Sequence, residues 1–132
     1  MLLSCSFSSV PEKVSVTYFN IRGLGEDIRL VLVDNGIKFE DNRTFVWVEL
    51  KEQLQPMFGQ LPVLQWGDKQ ICQSKAILRF LGRQLNLLGS TDDQVLLLDQ
   101  IMEGFADVRS RYISTVYAAD GVRPLCSSLT DR

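Results

Sequence analysis

The chain contains no histidine among its 132 residues. That absence removes a histidine-based triad, an imidazole general base and every metal site that draws on imidazole. Cysteine is sparse as well: Cys5, Cys72 and Cys126 lie far apart and form no C-x-x-C pair. Neither a zinc ribbon nor a thioredoxin-type redox pair is available, and no metal is expected. An odd, low count fits a reducing compartment better than a secreted disulfide scaffold, so a cytoplasmic location is expected. Long apolar runs are also missing. The longest reach about four residues, against the ~20 that a bilayer-spanning helix needs, so a membrane partner is not expected. Charge is nearly balanced, with 14 Lys and Arg against 16 Asp and Glu and a net of -2. A whole-domain phosphate-binding surface needs a basic excess, so nucleic acid is not an expected partner. A small local anion site remains compatible with this balance.

What is present is ordinary globular composition, with 45% hydrophobic and 23% charged residues, which excludes wholesale disorder. A chain of this length can bury about two thirds of its unfolded surface and needs no staples. The Ser-rich start, MLLSCSFSSV, has no basic n-region and no sustained apolar core, so residues 1–12 are expected to be a disordered extension. Lys13 to Phe19 is β-branched and aromatic and predicts a strand. Asn20 to Gly25 reads as a loop. Glu26 to Asn35 places Ile28, Val31 and Leu32 at helical spacing, and Gly36 is the expected C′ residue. Ile37 to Thr44 predicts a second strand. Phe45 to Phe58, interrupted by Pro56, reads as irregular or short helix. Leu61 to Trp66 and Lys69 to Cys72 predict a hairpin turning at Gly67-Asp68.

From Ser74 the period changes. Ile77, Phe80, Leu81, Leu85 and Leu88 form a helical stripe that Gly89 is expected to end. Thr91-Asp92-Asp93-Gln94 has the form of a capping box. Beyond it Leu98, Ile101, Met102, Phe105, Val108, Tyr112, Ile113 and Val116 keep one face apolar over a long helix. The pattern then stops, and residues 120–132 are expected to be a loose tail. The order strand-helix-strand, hairpin, helix predicts an α/β fold. It is a thioredoxin-like four-stranded mixed sheet with flanking helices, whose first two strands are parallel neighbours. This domain is expected over residues 13–88, with one long helix over 89–119.

Three loops then meet at one end of the sheet, the edge where α/β sheets bind ligands. Gln73-Ser74 stands at a strand-to-helix junction, where N–H groups and the helix dipole favour an anion. The plainer reading of Ser74 is an N-cap serving its own helix. Gln60-Leu61-Pro62 brings an X-Pro bond to the start of a strand; a cis form would turn the Leu61 backbone groups toward a ligand. Tyr18 shares a face with Val14 and Val16. It reads either as a core aromatic with its hydroxyl at the surface or as a phenol donor aimed at an anion, and the pattern alone favours the former.

The runs VTYFNIRG, FGQLPVLQWGD and QSKAILRFLGRQLNLLG, with Trp47 between the first two, resemble the cytosolic glutathione transferases in their pi-class form. DQIMEGFADVRSRYISTVY extends the likeness into the first helix of that family's all-helical second domain, so that it covers residues 13–117. The resemblance implies glutathione as co-substrate and thiol addition to small hydrophobic electrophiles. It makes Tyr18 the catalytic residue, a donor to the glutathione sulfur. It places Gln73 and Ser74 on the γ-glutamyl end, Leu61 and the cis-proline Pro62 on the cysteinyl part, Gln60 on the peptide and Trp47 at the glycine end. Asp107 is implied to approach the partner subunit's glutathione, Tyr117 to line the electrophile pocket, and Phe58 to key into the other subunit of a homodimer. On the residue pattern alone Trp47, Phe58 and Tyr117 read as ordinary packing.

Three departures stand out. The pi pattern has a second arginine two residues after the first; here Arg22 is followed by Gly23 and Leu24. The lysine that holds the glycine carboxylate is replaced by Gln53, for which Lys51 is a stand-in hypothesis. The family also continues into further helices that would cover one face of the Leu98 to Val116 segment. The function expected from the resemblance is conjugation of reduced glutathione to hydrophobic electrophiles with the thiolate stabilised by Tyr18; the alternative is a truncated isoform with impaired or absent turnover, serving as a glutathione-binding or dimer-interaction module.

Overall fold

The computed structural model describes residues 10–119. The expected tail over 120–132, and all of the expected extension over 1–12 except Val10, Pro11 and Glu12, lie outside those residues. The chain divides into two compact units, with the division after Leu87.

The first unit runs β1 (Val14–Phe19), α1 (Gly23–Asp34), β2 (Glu40–Thr44), α2 (Trp47–Leu54), β3 (Val63–Trp66), β4 (Lys69–Cys72) and α3 (Ser74–Gln84). Its sheet has the order β2-β1-β3-β4. β1 and β2 are parallel, and the other two pairs are antiparallel. This is the thioredoxin-like βαβαββα arrangement. Alternation in β1 sends Val14 and Val16 to one face, where they meet Leu64 and Trp66 of β3. Ile28 and Leu32 of α1 and Ile77 and Leu81 of α3 complete that core. Ile28, Leu32, Leu64, Ile77 and Leu81 are fully buried, and each contributes about 1.5–3 kcal/mol of transfer free energy. Trp66 and Phe80 add an edge-to-face contact at 5.8 Å.

Several boundaries differ from the sequence reading. α1 begins at Gly23, not Glu26, so two of the glycines assigned to a loop lie in its first turn. β2 begins at Glu40, three residues after Ile37. The mixed segment before Pro56 forms α2, which stops at Leu54 because the residue before a proline avoids the helical region. α3 stops at Gln84, so neither Leu88 nor Gly89 belongs to its end. The stop is made by Asn86, which takes a left-handed φ of 57°. The Leu87 N–H reaches the Gly82 carbonyl at 2.8 Å, and the Asn86 N–H reaches that of Arg83. This is a Schellman closure with asparagine in the usual glycine place. α1 closes in the same way through Gly36, as expected.

The second unit, over its described residues, is the 28-residue helix α4 (Asp92–Ala119). It is the first long helix of an all-α domain. The capping box is formed: the Gln94 N–H donates to the Thr91 hydroxyl, and the Gln94 carboxamide accepts from the N–H groups of Ser90 and Thr91. Leu98, Ile101, Phe105, Val108, Tyr112 and Ile113 are all exposed.

Candidate functional site

Strand register decides what meets at the sheet edge. Thr17 pairs with Val63, and Val63 pairs with Cys72. Tyr18 follows Thr17, Pro62 precedes Val63 and Gln73 follows Cys72. β1 and β4 therefore end, and β3 begins, at one edge. Tyr18, the Leu61-Pro62 bond and the Gln73-Ser74 junction belong to that edge. On the other side Tyr18 pairs with Arg43 of β2.

Tyr18 is buried at 6% exposure. Its ring lies against the start of α1: a Cβ on Gly23 would meet its hydroxyl at 2.7 Å, and one on Gly25 would meet Cγ and Cδ1 at 2.7 Å. The phenol oxygen accepts the Leu24 N–H at 3.1 Å. A hydroxyl that accepts in this way still carries its one donor proton. Tyr18 is thus a buried aromatic whose oxygen is held at the boundary between β1 and α1.

An ionic network missed by the sequence reading stands beside the ring. Buried Arg29 in α1 donates to Asp41 at 2.8 Å, to Glu26 at 3.1 Å and to the Ile21 carbonyl at 3.2 Å. Asp41 also accepts from Arg43 at 2.7 Å. Arg29 and Asp41 are twelve positions apart, so no local spacing announces them; the nearest signal is a lone arginine on the apolar side of a helix.

Partial burial pushes the Asp41 carboxyl up, but hydrogen bonds from Arg43 and Arg29, with their charges, outweigh it and hold the group below its ordinary 3.8. A depressed carboxyl contributes stability that is full above its unfolded value and is lost as pH falls through the folded one. The parent is therefore expected to lose stability on acidification below about pH 4. Asp41→Asn should be less stable at neutral pH and flatter in that window. Urea midpoints across a pH series check this, and parallel curves would refute it.

At the second corner, the Leu61-Pro62 bond is cis and Pro62 is buried. Gln73, not Ser74, holds the N-cap position of α3, with a φ of 69° and no side-chain capping bond. The plainer reading of Ser74 is thereby corrected: Ser74 is the first helical residue and does not cap its own helix. Gln73 instead donates its amide to Gln60 at 3.0 Å, tying the two arms together.

Trp47 opens α2 and is half-buried. Lys51 lies one turn later, and its chain crosses the backbone of Gly59. A Cβ there would meet Cε at 2.8 Å and Nζ at 3.1 Å. Lys51 lines a surface hollow of about 460 Å³ with Val48, Glu52, Gln55, Pro56 and Gly59. Gln53 is exposed, as is Phe58 at 59%. Asp107 lies exposed on α4, in the second unit. Tyr117 lies in α4, and its side chain is outside the described residues. Among the described residues no cluster of three or more His, Cys, Asp or Glu could hold a metal ion, and no helix is long and apolar enough to cross a membrane.

The family model "Glutathione S-transferase, N-terminal domain" matches residues 14–83. The chain is 44% identical over 117 residues to Glutathione S-transferase P 10 of Caenorhabditis elegans, covering 86% of this chain and 55% of that protein. Among solved structures, the Pi-class glutathione S-transferase of Onchocerca volvulus superposes with a TM-score of 0.75 at 46% identity, covering 80% of this chain and 50% of that one. A Nu-class transferase from Haemonchus contortus gives 0.66 at 39% identity, covering 72% and 47%. The chain spans about half the length of the relatives it matches.

Proposed function

The chain belongs to the glutathione S-transferase family, and on that premise we propose that it binds glutathione along the β1–β3–β4 edge, with Tyr18 as the donor to the thiol. The observation that carries this reading is the placement of Tyr18, cis-Pro62 and Gln73-Ser74 at one sheet edge by strand register. The donor set suits an extended acidic tripeptide. The α3 N-terminus, Ser74 and Gln73 receive the γ-glutamyl end, the Leu61 backbone and Gln60 pair with the peptide, and Trp47 borders the glycine end.

Lys51 takes the glycine carboxylate in place of the absent lysine at position 53. Its chain runs against Gly59, next to Gln60, which supports this assignment. Pi-class membership is part of the proposal, as are a cytoplasmic location and a homodimer with Phe58 as contact. Asp107 then approaches the partner's site, and Tyr117 lines the electrophile pocket. By family the chain classifies as a transferase that joins glutathione to electrophiles. The described residues supply the glutathione edge, so the chain is proposed to act as a glutathione-binding or dimer-interaction module.

The test is calorimetric titration with glutathione, alongside oligomer state and steady-state conjugation of an aromatic electrophile. Binding with no rate above the uncatalysed reaction is expected; full turnover would replace the module reading with the enzyme. Failure to bind would remove both. Lys51→Gln is expected to weaken binding about tenfold, the loss of one charged hydrogen bond at the weaker end of its range. Unchanged affinity would take Lys51 out of the site.

A further inference from the structure

Tyr18 carries the proposed chemistry, and the backbone of Leu24, with no cationic side chain, meets its hydroxyl. The cation held against the ring comes instead from the middle of α1. The Arg29 guanidinium carbon lies 5.9 Å from the Tyr18 ring centroid. Its side chain is 6% exposed, and Nη2 is buried without a hydrogen-bond partner among the described residues. An orphan of this kind on a buried cation calls for an explanation beyond its own ion pairs. Through Nη1 the same group grips the Ile21 carbonyl, within the turn that delivers the Leu24 N–H to the phenol oxygen.

We infer that Arg29 is the positioning residue for Tyr18, fixing the β1–α1 turn around the phenol and supplying positive potential at its ring. The inference rests on Tyr18 being the thiol partner. A phenol near a cation ionises more readily and is a stronger donor to a thiolate. The charged groups linked to Arg29 are Glu26 on α1 and Asp41 on β2, with Arg43, the register partner of Tyr18, on Asp41; Arg22 stands in the turn before α1, and Val63 at the start of β3 is uncharged. Removing Arg29 leaves two carboxylates against one arginine in that network. The local balance then turns negative and opposes phenolate.

The chain has three tyrosines, so Tyr112→Phe with Tyr117→Phe leaves Tyr18 as the sole phenol. Its titration is read by ultraviolet absorbance in the full chain without glutathione. Arg29→Met is expected to raise the midpoint by about one pH unit, a tenfold change in ionisation. Arg29→Lys, which keeps the charge, should recover at least half of that shift. Asp41→Asn, which removes a neighbouring negative charge, should lower the midpoint. A merely structural arginine would change stability and leave the midpoint in place. A folded Arg29→Met with a midpoint within about 0.2 unit of the parent overturns the inference. Should Arg29→Met not fold, Asp41→Asn decides: a fall supports the inference and no fall overturns it. Because glutathione is absent, a failed glutathione titration would sink the proposed function and leave this result standing.

Discussion

Glutathione bound to the parent chain is expected to lose its thiol proton about two pH units below the free-thiol value, and Tyr18→Phe to abolish most of that shift. An ordinary thiol near 8.5 needs about this displacement to be mostly ionised at neutral pH, which amounts to ~3 kcal/mol. A hydrogen bond to a charged group contributes about 1.5–3 kcal/mol. One phenol, aided by nearby dipoles, is therefore of the required size. The Leu24 N–H occupies the phenol oxygen at 3.1 Å, so the phenol's function toward a thiolate is donation. Phenylalanine keeps the ring between Gly23 and Gly25 and deletes the hydroxyl, which is both that donor and the acceptor of the Leu24 N–H. Affinity for glutathione should change little, because Gln60, Leu61, Gln73 and Ser74 are untouched. The thiolate's ultraviolet absorbance across a pH series reads the shift without any need for turnover. Equal thiol ionisation on both proteins would remove Tyr18 from its role, and an equal loss of binding and ionisation would make it a packing residue.

Gly25→Val is expected to cost about 3 kcal/mol, at the upper end of ordinary overpacking, and to weaken glutathione binding at least tenfold. The site is buried, and a Cβ there would lie 2.7 Å from Tyr18 Cγ and Cδ1 and 2.9 Å from its Cβ. Carbon contacts are comfortable only near 3.5–4.0 Å. The clashing atoms are the root of a ring on β1, which is paired on both sides, so they cannot swing aside as a flexible chain end can. Leaving glycine gains at most ~1 kcal/mol of helix propensity, and a β-branched residue recovers less than alanine. The steric term wins, and either the ring or the first turn of α1 must move. Both movements disturb the Leu24–Tyr18 hydrogen bond. Urea midpoints and glutathione calorimetry measure the two effects. A valine variant as stable as the parent would show that the β1–α1 contact yields easily.

The local features were legible because their physics is local. Alternation in β1, the helical spacing of Ile28 and Leu32, the αL glycine at Gly36 and the Thr91–Gln94 box each depend on neighbours a few residues away. The family resemblance was carried by short runs of the same kind around Tyr18, Gln60-Leu61-Pro62 and Gln73-Ser74, each legible by itself, whereas strand register brings them to one edge. Local reading slipped where one residue type did another's work. Asn86 closed α3 three residues before Gly89, the glycine expected to end it, and two glycines opened α1 where they suggested a loop. Gly25 is there for the Tyr18 ring, a reason that sequence spacing does not express.

The order of elements, the thioredoxin-like sheet and the set of candidate ligand residues were thus determined by the sequence alone, since periodicity and turn chemistry act over single turns. Tertiary structure decided which charges stand beside Tyr18, that Ser74 does not cap its helix, and that Lys51 rather than Gln53 reaches the Gly59 backbone. Those outcomes depend on how α1 meets β2 and how α2 lies over the segment before β3. Electrostatic and steric effects fall off over a few ångströms of space, whatever the separation along the chain.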